Sequence, residues 1–304
     1  MFLNILILLA SVFFLWIGAD WFIESSSYFA KKLHISELII GLTVVAFGTS
    51  APEFAVSVGA ALKGHSAISI ANVVGSDIFN LGFILGIVAI FHALPVEHKL
   101  LRRDGFFLLF ISLLLLFVFR DHRFSRLEGV LFLAVFLTYL VVLFFSKGNF
   151  YSDVRVKELG WKAVPMFAVG LGLIIAGSHY LVNSASQIAR SLGVSEWLIG
   201  VTVVAAGTST PELATSLVAS FKGRASLSIG NLIGSDIFNI AGVLGVAAAL
   251  HPMDLPPVYT TSLILMVAMI VVLLFFMRTQ WKLTRLEGAV LILFGLFRWL
   301  VNIF

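Results

Sequence analysis

Two hexapeptides of this chain set a hydroxyl, a proline and a carboxylate inside apolar sequence: Gly48-Thr49-Ser50-Ala51-Pro52-Glu53 and Gly207-Thr208-Ser209-Thr210-Pro211-Glu212. At about 100° per residue, Ser50 and Glu53 share one face of a helix, and so do Ser209 and Glu212. A proline inside a helix withholds its N–H and clashes with the carbonyl four residues back, here Gly48 or Gly207, so nearby backbone oxygens lose partners. Further on, Asn72, Ser76 and Asn80 recur every fourth residue, and Asn231, Ser235 and Asn239 repeat the pattern. The stripes and the bends offer hydroxyl, amide, carbonyl and carboxylate oxygens, with no sulfur and no histidine. Such a donor set suits a hard cation, and a flexible shell of about six to eight oxygens suits Ca²⁺ better than Mg²⁺.

An ionised Glu at bilayer depth costs roughly 2.5–3.5 kcal/mol or more unless a cavity, a partner or a counter-ion receives it. Two of them side by side repel, so they either share a proton or hold a cation between them. One divalent ion neutralises the pair, and so do several monovalent ions. A site that either set can fill, but that is costly to leave empty, permits a change of access only when loaded. That is the logic of an antiporter.

The elements that must position these groups are membrane spans. The 304 residues are 60% hydrophobic and 12% charged, with mean hydropathy +1.06, which excludes an ordinary soluble domain and points to an all-α polytopic protein in a lipid bilayer. There are no cysteines, which excludes disulfides, thiolate zinc and iron–sulfur chemistry. The formal charge is +4, with the basic residues in short connections, so no nucleic-acid partner is expected. At about 20 apolar residues per span, ten spans are predicted: 2–28, 36–62, 67–93, 105–120, 127–146, 162–188, 195–221, 226–250, 257–277 and 284–303. The first run is too long for a signal-peptide core and reads as a span rather than a leader.

An offset of 159 residues aligns the halves, and from Ser36 to Gly86 it matches 29 of 51 positions without a gap. It carries Gly48–Glu53 onto Gly207–Glu212, Gly75-Ser76-Asp77-Ile78-Phe79-Asn80 onto Gly234-Ser235-Asp236-Ile237-Phe238-Asn239, and Arg126-Leu127-Glu128-Gly129 onto Arg285-Leu286-Glu287-Gly288. The predicted organisation is a first repeat over 1–147, a short cytoplasmic linker over 148–161 and a second repeat over 162–304. Five spans per repeat force the second copy to enter the membrane from the opposite side. Inverted repeats with interrupted helices at matching positions are the mark of secondary transporters, with the site at mid-depth where the halves meet. Lysines and arginines in the connections favour both termini outside.

The paired Gly-Thr-Ser-x-Pro-Glu and Gly-Ser-x-x-x-Asn blocks resemble the two α-repeats of the calcium/cation antiporter superfamily, and the whole chain is similar to its prokaryotic sodium/calcium exchangers. The resemblance implies a cell (inner) membrane location and two inverted five-helix repeats with kinked or broken helices 2, 3, 7 and 8. It implies exchange of Ca²⁺ for about three Na⁺ ions, electrogenically, by alternating access at the repeat interface, with the first and sixth spans sliding across the rest. It implies a transporter, not an enzyme, with no cofactor, and leaves the oligomeric state open. Glu53 and Glu212 would be the central carboxylates, joined by the carbonyls of Thr49 and Thr208 and completed by Asn80 and Asn239. Flanking sodium positions would use Ser50, Ser209, Ser76 and Ser235 with the carbonyls of Ala46 and Ala205. The neutral Asn239 argues against potassium co-transport, since potassium-dependent relatives place an acid there. Asp77 and Asp236 stand where relatives are often neutral. They either add charge or a proton acceptor to the ion path, or cap a restarted helix.

Other readings stand beside these. Proton coupling in place of sodium is the nearest alternative. An ion channel would conduct without a counter-ion gradient, and an intramembrane protease would have no use for the serine and asparagine oxygens. Gly82-x-x-x-Gly86 is expected to serve helix packing, the Arg-Leu-Glu-Gly motifs capping or charge anchoring, and the 29 phenylalanines to face lipid. Asp20 and Glu24 either line the path or face a neighbouring helix.

Overall fold

The computed structural model of the protein describes residues 1–146, 156–194, 205–254 and 260–303. The start of the predicted seventh span and most of the predicted linker lie outside them. The described residues are helical almost throughout: α1 Phe2–Leu33, α2 Glu37–Thr49, α3 Ala51–Leu62, α4 Ser66–Phe91, α5 Phe106–Val118, α6 Arg126–Phe145, α7 Gly160–Ser191, α8 Thr210–Phe221, α9 Ala225–Leu250, α10 Thr260–Gln280 and α11 Arg285–Ile303. Among the described residues six helices are long and apolar enough to cross a membrane, or seven if α2 and α3, bent by 53°, form one span.

The helices begin where the sequence supplies caps. Ser125 and Glu128 form a reciprocal capping box at the start of α6. Thr284 and Glu287 repeat it at α11, with the Thr284 amide donating to Glu287 Oε2 at 2.8 Å and the Glu287 amide to Thr284 Oγ1 at 3.4 Å. The acid of each Arg-Leu-Glu-Gly motif is thus a cap. The glycine that follows it is a contact point: a Cβ on Gly288 would lie 2.7 Å from the Gly86 carbonyl oxygen, and one on Gly129 2.9 Å from that of Gly245. These crossings, α4 on α11 and α9 on α6, interchange under the 159-residue offset, and each joins one half to the other. Gly82 meets the Gly295 Cα on the same face of α11, so the Gly82-x-x-x-Gly86 spacing is helix packing.

Two short antiparallel ladders obey the same exchange. Leu94–Pro95 (β1) pairs with Lys282–Leu283 (β4), and Arg123–Phe124 (β2) pairs with Met253–Asp254 (β3). Adding 159 turns β1 into β3 and β2 into β4.

α4 and α9 form the centre, 72% and 83% buried over their apolar windows, whereas α1 and α7 are each only 22% buried. Neither central helix is broken. Each carries a π-helical turn, Asn80–Ile84 in α4 and Phe238–Val243 in α9, which shifts the helical register without interrupting it. The interruptions expected at these helices are replaced by those turns. Not every phenylalanine faces lipid: Phe238 lies 4.7 Å from Phe47 and 5.8 Å from Phe136, ring centre to ring centre, inside the bundle.

α2 and α9 touch backbone to backbone. A Cβ on Gly234 would sit 2.6 Å from the Leu42 Cα and 2.7 Å from its oxygen. Gly234→Ala is therefore expected to cost about 1–3 kcal/mol of stability, read as a lower thermal midpoint. In the exposed Gly172 of α7 the same change is expected to hold or raise the midpoint, since alanine is the better helix former.

Candidate cation site

Each hexapeptide ends one helix and starts the next. α2 stops at Thr49, Ser50 takes φ −82° and ψ 10°, and α3 begins at Ala51 with Pro52 in its first turn. In the second copy the turn Ala205–Gly207 ends, Ser209 takes φ −88° and ψ 10°, and α8 begins at Thr210 with Pro211 in its first turn. The prolines are not mid-helix kinks as the sequence suggested. They occupy positions where a missing N–H costs no intrahelical bond. Glu53 and Glu212 follow in the same first turns, beside the positive end of the helix dipole. The carbonyl of Gly207 accepts a bond from Ser178 Oγ of α7 at 2.8 Å, a partner the sequence did not single out.

The two halves meet through bonds that cross between them. Ser50 Oγ donates to Glu212 Oε1 at 2.8 Å, and Ser209 Oγ donates to Glu53 Oε1 at 3.2 Å. Asn80 Nδ2 donates to Asp236 Oδ1 at 2.9 Å, and Asn239 Nδ2 donates to Asp77 Oδ1 at 3.0 Å. Thr49 Oγ1 donates to Asn231 Oδ1 at 3.1 Å, while Ser76 Oγ and Thr208 Oγ1 lie 3.4 Å apart. Ser235 Oγ donates to the Ala46 carbonyl at 3.5 Å, and the matching Ala205 opens the helical turn before Thr208. Asn72 and Asn231 have a scaffold role, donating to Ser57 Oγ and Ser216 Oγ at 2.9 and 3.0 Å and so tying α4 to α3 and α9 to α8.

Glu53, Glu212, Asp77 and Asp236 are all fully buried. Asp77 and Asp236 lie inside unbroken helices and accept from the opposite half, so they do not cap a restarted segment. A serine hydroxyl or an asparagine amide from the opposite half donates to one oxygen of each acid. One oxygen of each acid, Oε2 of both glutamates and Oδ2 of both aspartates, is buried without a donor, as are Oδ1 of Asn80 and Asn239. Buried polar atoms are rarely left so. Unpartnered acceptors from two symmetric sets fit a cation, and like charges buried in one cluster repel unless one is present or protons are taken up. Among the described residues no three His, Cys, Asp or Glu side chains close around one point. The cradle is one of mixed oxygens, with hydroxyl, amide and carbonyl groups supplementing the acids.

A cavity of about 350 Å³ runs between α3 and α7, lined by Pro52, Ala55, Ser178, His179, Val182 and Thr208 among others. It brings the outer surface to the edge of the second hexapeptide. Asp20 and Glu24 lie elsewhere, paired with Lys222, whose Nζ is 2.6 Å from Asp20 Oδ1 and 2.7 Å from Glu24 Oε1.

Comparison with known proteins bears on this arrangement. The sodium/calcium exchanger protein family matches residues 3–145 and 162–301. The chain is 35% identical, over an alignment 343 positions long, to the sodium/calcium exchanger MaX1 of Methanosarcina acetivorans, covering 96% of each. It is 34% identical to the inner membrane protein YrbG of Escherichia coli, covering 86% of this chain and 85% of that one. Among solved structures, the sodium-calcium exchanger NCX_Mj soaked with Na⁺ and Ca²⁺ superposes with a TM-score of 0.86 at 29% identity, covering 97% of both chains.

Proposed function

This chain belongs to the sodium/calcium exchanger protein family, and from that premise we propose that it exchanges Ca²⁺ for several Na⁺ ions at the buried oxygen cradle between its halves. It is an integral membrane antiporter and not an enzyme. In the proposed arrangement ten spans form two inverted five-helix repeats, with both termini outside a prokaryotic inner membrane. The reciprocal pairing of Ser50 with Glu212 and Ser209 with Glu53, beside six donorless buried oxygens, carries the reading. Glu53 and Glu212 neutralise the divalent ion. Asn80, Asn239 and the carbonyls of Thr49 and Thr208 complete its shell. Ser50, Ser76, Ser209, Ser235 and the carbonyls of Ala46 and Ala205 hold sodium on either side. Asp77 and Asp236 supply further negative charge at the same depth.

Transport follows from charge balance. Unloaded, the four carboxyl groups repel or take up protons, and closing both sides over them is costly. Loaded with calcium or with sodium ions, the charge of the two glutamates is offset and the halves can rearrange around a site that stays in place.

Purified protein in sodium-loaded liposomes is expected to take up calcium down the outward sodium gradient, undiminished by a protonophore. Calcium uptake that needs a pH gradient and collapses with the protonophore would instead establish proton coupling. The observation favouring that second reading is the acid count, since two buried aspartates beyond the glutamates offer places for protons.

A further inference from the structure

α1 and α7 pack chiefly on each other at the edge of the bundle. A Cβ on Gly18 would lie 2.8 Å from the Gly170 carbonyl oxygen, and one on Gly170 2.8 Å from that of Gly18, so the two backbones touch where they cross. A pair so joined and so exposed can shear against the buried core as a unit.

Its two ends are held differently. At one end Asp20 and Glu24 of α1 bind Lys222 of the α8–α9 connection, and Lys157 Nζ lies 3.6 Å from Glu24 Oε1. Arg224, fully buried, pairs with the buried Glu37 of α2 and reaches Glu24 Oε2 at 3.9 Å. At the other end the 159-residue offset gives His179 and Asn183 for the two acids and Lys63 and His65 for the two bases. There His179 and Asn183 bond to each other at 2.9 Å, and the cavity opens beside them. Val182 and Ala55 line that cavity, whereas Ile23, the counterpart of Val182, is fully buried. The end tied by ion pairs buries Ile23, and the cavity lies at the His179 end.

We infer that Asp20 and Glu24 with Lys222 and Arg224 form an ionic latch that holds the Lys222 side of the ion path shut while the His179 side is open, and that the latch parts when access switches. Its burial is graded in a way that suits a reversible device. Arg224 is fixed to the core by Glu37, whereas the side chains of Lys222 and Asp20 are 20% and 37% exposed, so water can take over their charges once they separate. A wholly buried set would not release so readily. These are positioning residues: they touch no transported ion, and they bias which side the site faces. The inference rests on the alternating access proposed above.

The chain has no cysteine, so an introduced one is a unique reporter. Ala55→Cys reads the open side, and its counterpart Ala214→Cys reads the latched side, each by its rate of maleimide labelling in the purified full-length protein. Adding Lys222→Gln is expected to raise Ala214→Cys labelling about fivefold or more and to slow labelling at Ala55→Cys. Asp20→Asn is expected to shift both in the same directions by less, and serves if the first variant does not fold. The exchanged pair Asp20→Lys with Lys222→Asp is expected to return both rates toward the parent values. Unchanged rates, a rise at both reporters alike, or no recovery in the exchanged pair would overturn the latch. Labelling needs no transport, so its failure is separate from that of the antiport reading, which the sodium-gradient assay decides.

Discussion

Glu53→Gln and Glu212→Gln are each expected to lower calcium-dependent exchange by at least about 100-fold. Gln keeps the length of Glu and can still accept the serine hydroxyl that crosses from the other half, Ser209 for Glu53 and Ser50 for Glu212. What it removes is one of the charges facing a desolvated divalent ion, and losing one partner of a buried charge pair costs about 3–5 kcal/mol, or about two to three and a half decades in affinity. The fold is expected to respond in the opposite sense. In ion-free buffer each variant has one fewer acid in a fully buried cluster and should melt at or above the parent temperature. Counter-flow of labelled calcium in liposomes and a melting curve read the two effects. Near-normal exchange in both variants would remove the glutamates from the site.

Asp77→Asn combined with Asp236→Asn is expected to change how calcium exchange depends on pH. Protons compete with a cation for carboxylate oxygens, so affinity falls as pH falls, and the slope of log affinity against pH counts the protons released on binding. The parent has four buried acids at the centre and the double variant two. Its slope should therefore be shallower, by about one proton per calcium or more, with calcium affinity at high pH weakened as well. The crossing bonds survive the change, because an asparagine carbonyl can accept from Asn80 or Asn239 as the carboxylates now do. An unaltered pH profile with unaltered affinity would leave the two aspartates as structural groups.

Much of this was legible because the chain says everything twice. The 159-residue offset pairs Ser50 with Ser209 and Asp77 with Asp236, and a two-fold arrangement of two copies brings such pairs together in crossed contacts. The Arg-Leu-Glu-Gly motifs were likewise readable as capping or charge anchoring, whereas the contact of the following glycine with the other half was not. Other features were hidden for physical reasons. The π turns in α4 and α9 contain no proline, so nothing in the residue pattern announces them. Pro52 reads as a kink until the chain is seen to stop at Thr49 and restart at Ala51. Ser178 could not be found from the repeat, since its counterpart is Ala19. The latch escaped the sequence most completely, because its partners lie about 200 residues apart and the offset maps them onto residues of a different character.

Calcium binding by two symmetric acids, completed by neutral oxygens from both halves, underlies the proposed exchange. Thermal unfolding of the purified protein across a calcium titration tests it most directly. A ligand that binds only the folded state stabilises it by an amount that grows with concentration, about 2.7 kcal/mol at one hundred times the dissociation constant. The parent is expected to melt at steadily higher temperature as calcium rises, with sodium moving the response to higher calcium, while the protein carrying both Glu53→Gln and Glu212→Gln shows no response. Equal stabilisation of parent and double variant would place the calcium elsewhere and remove both glutamates from its shell.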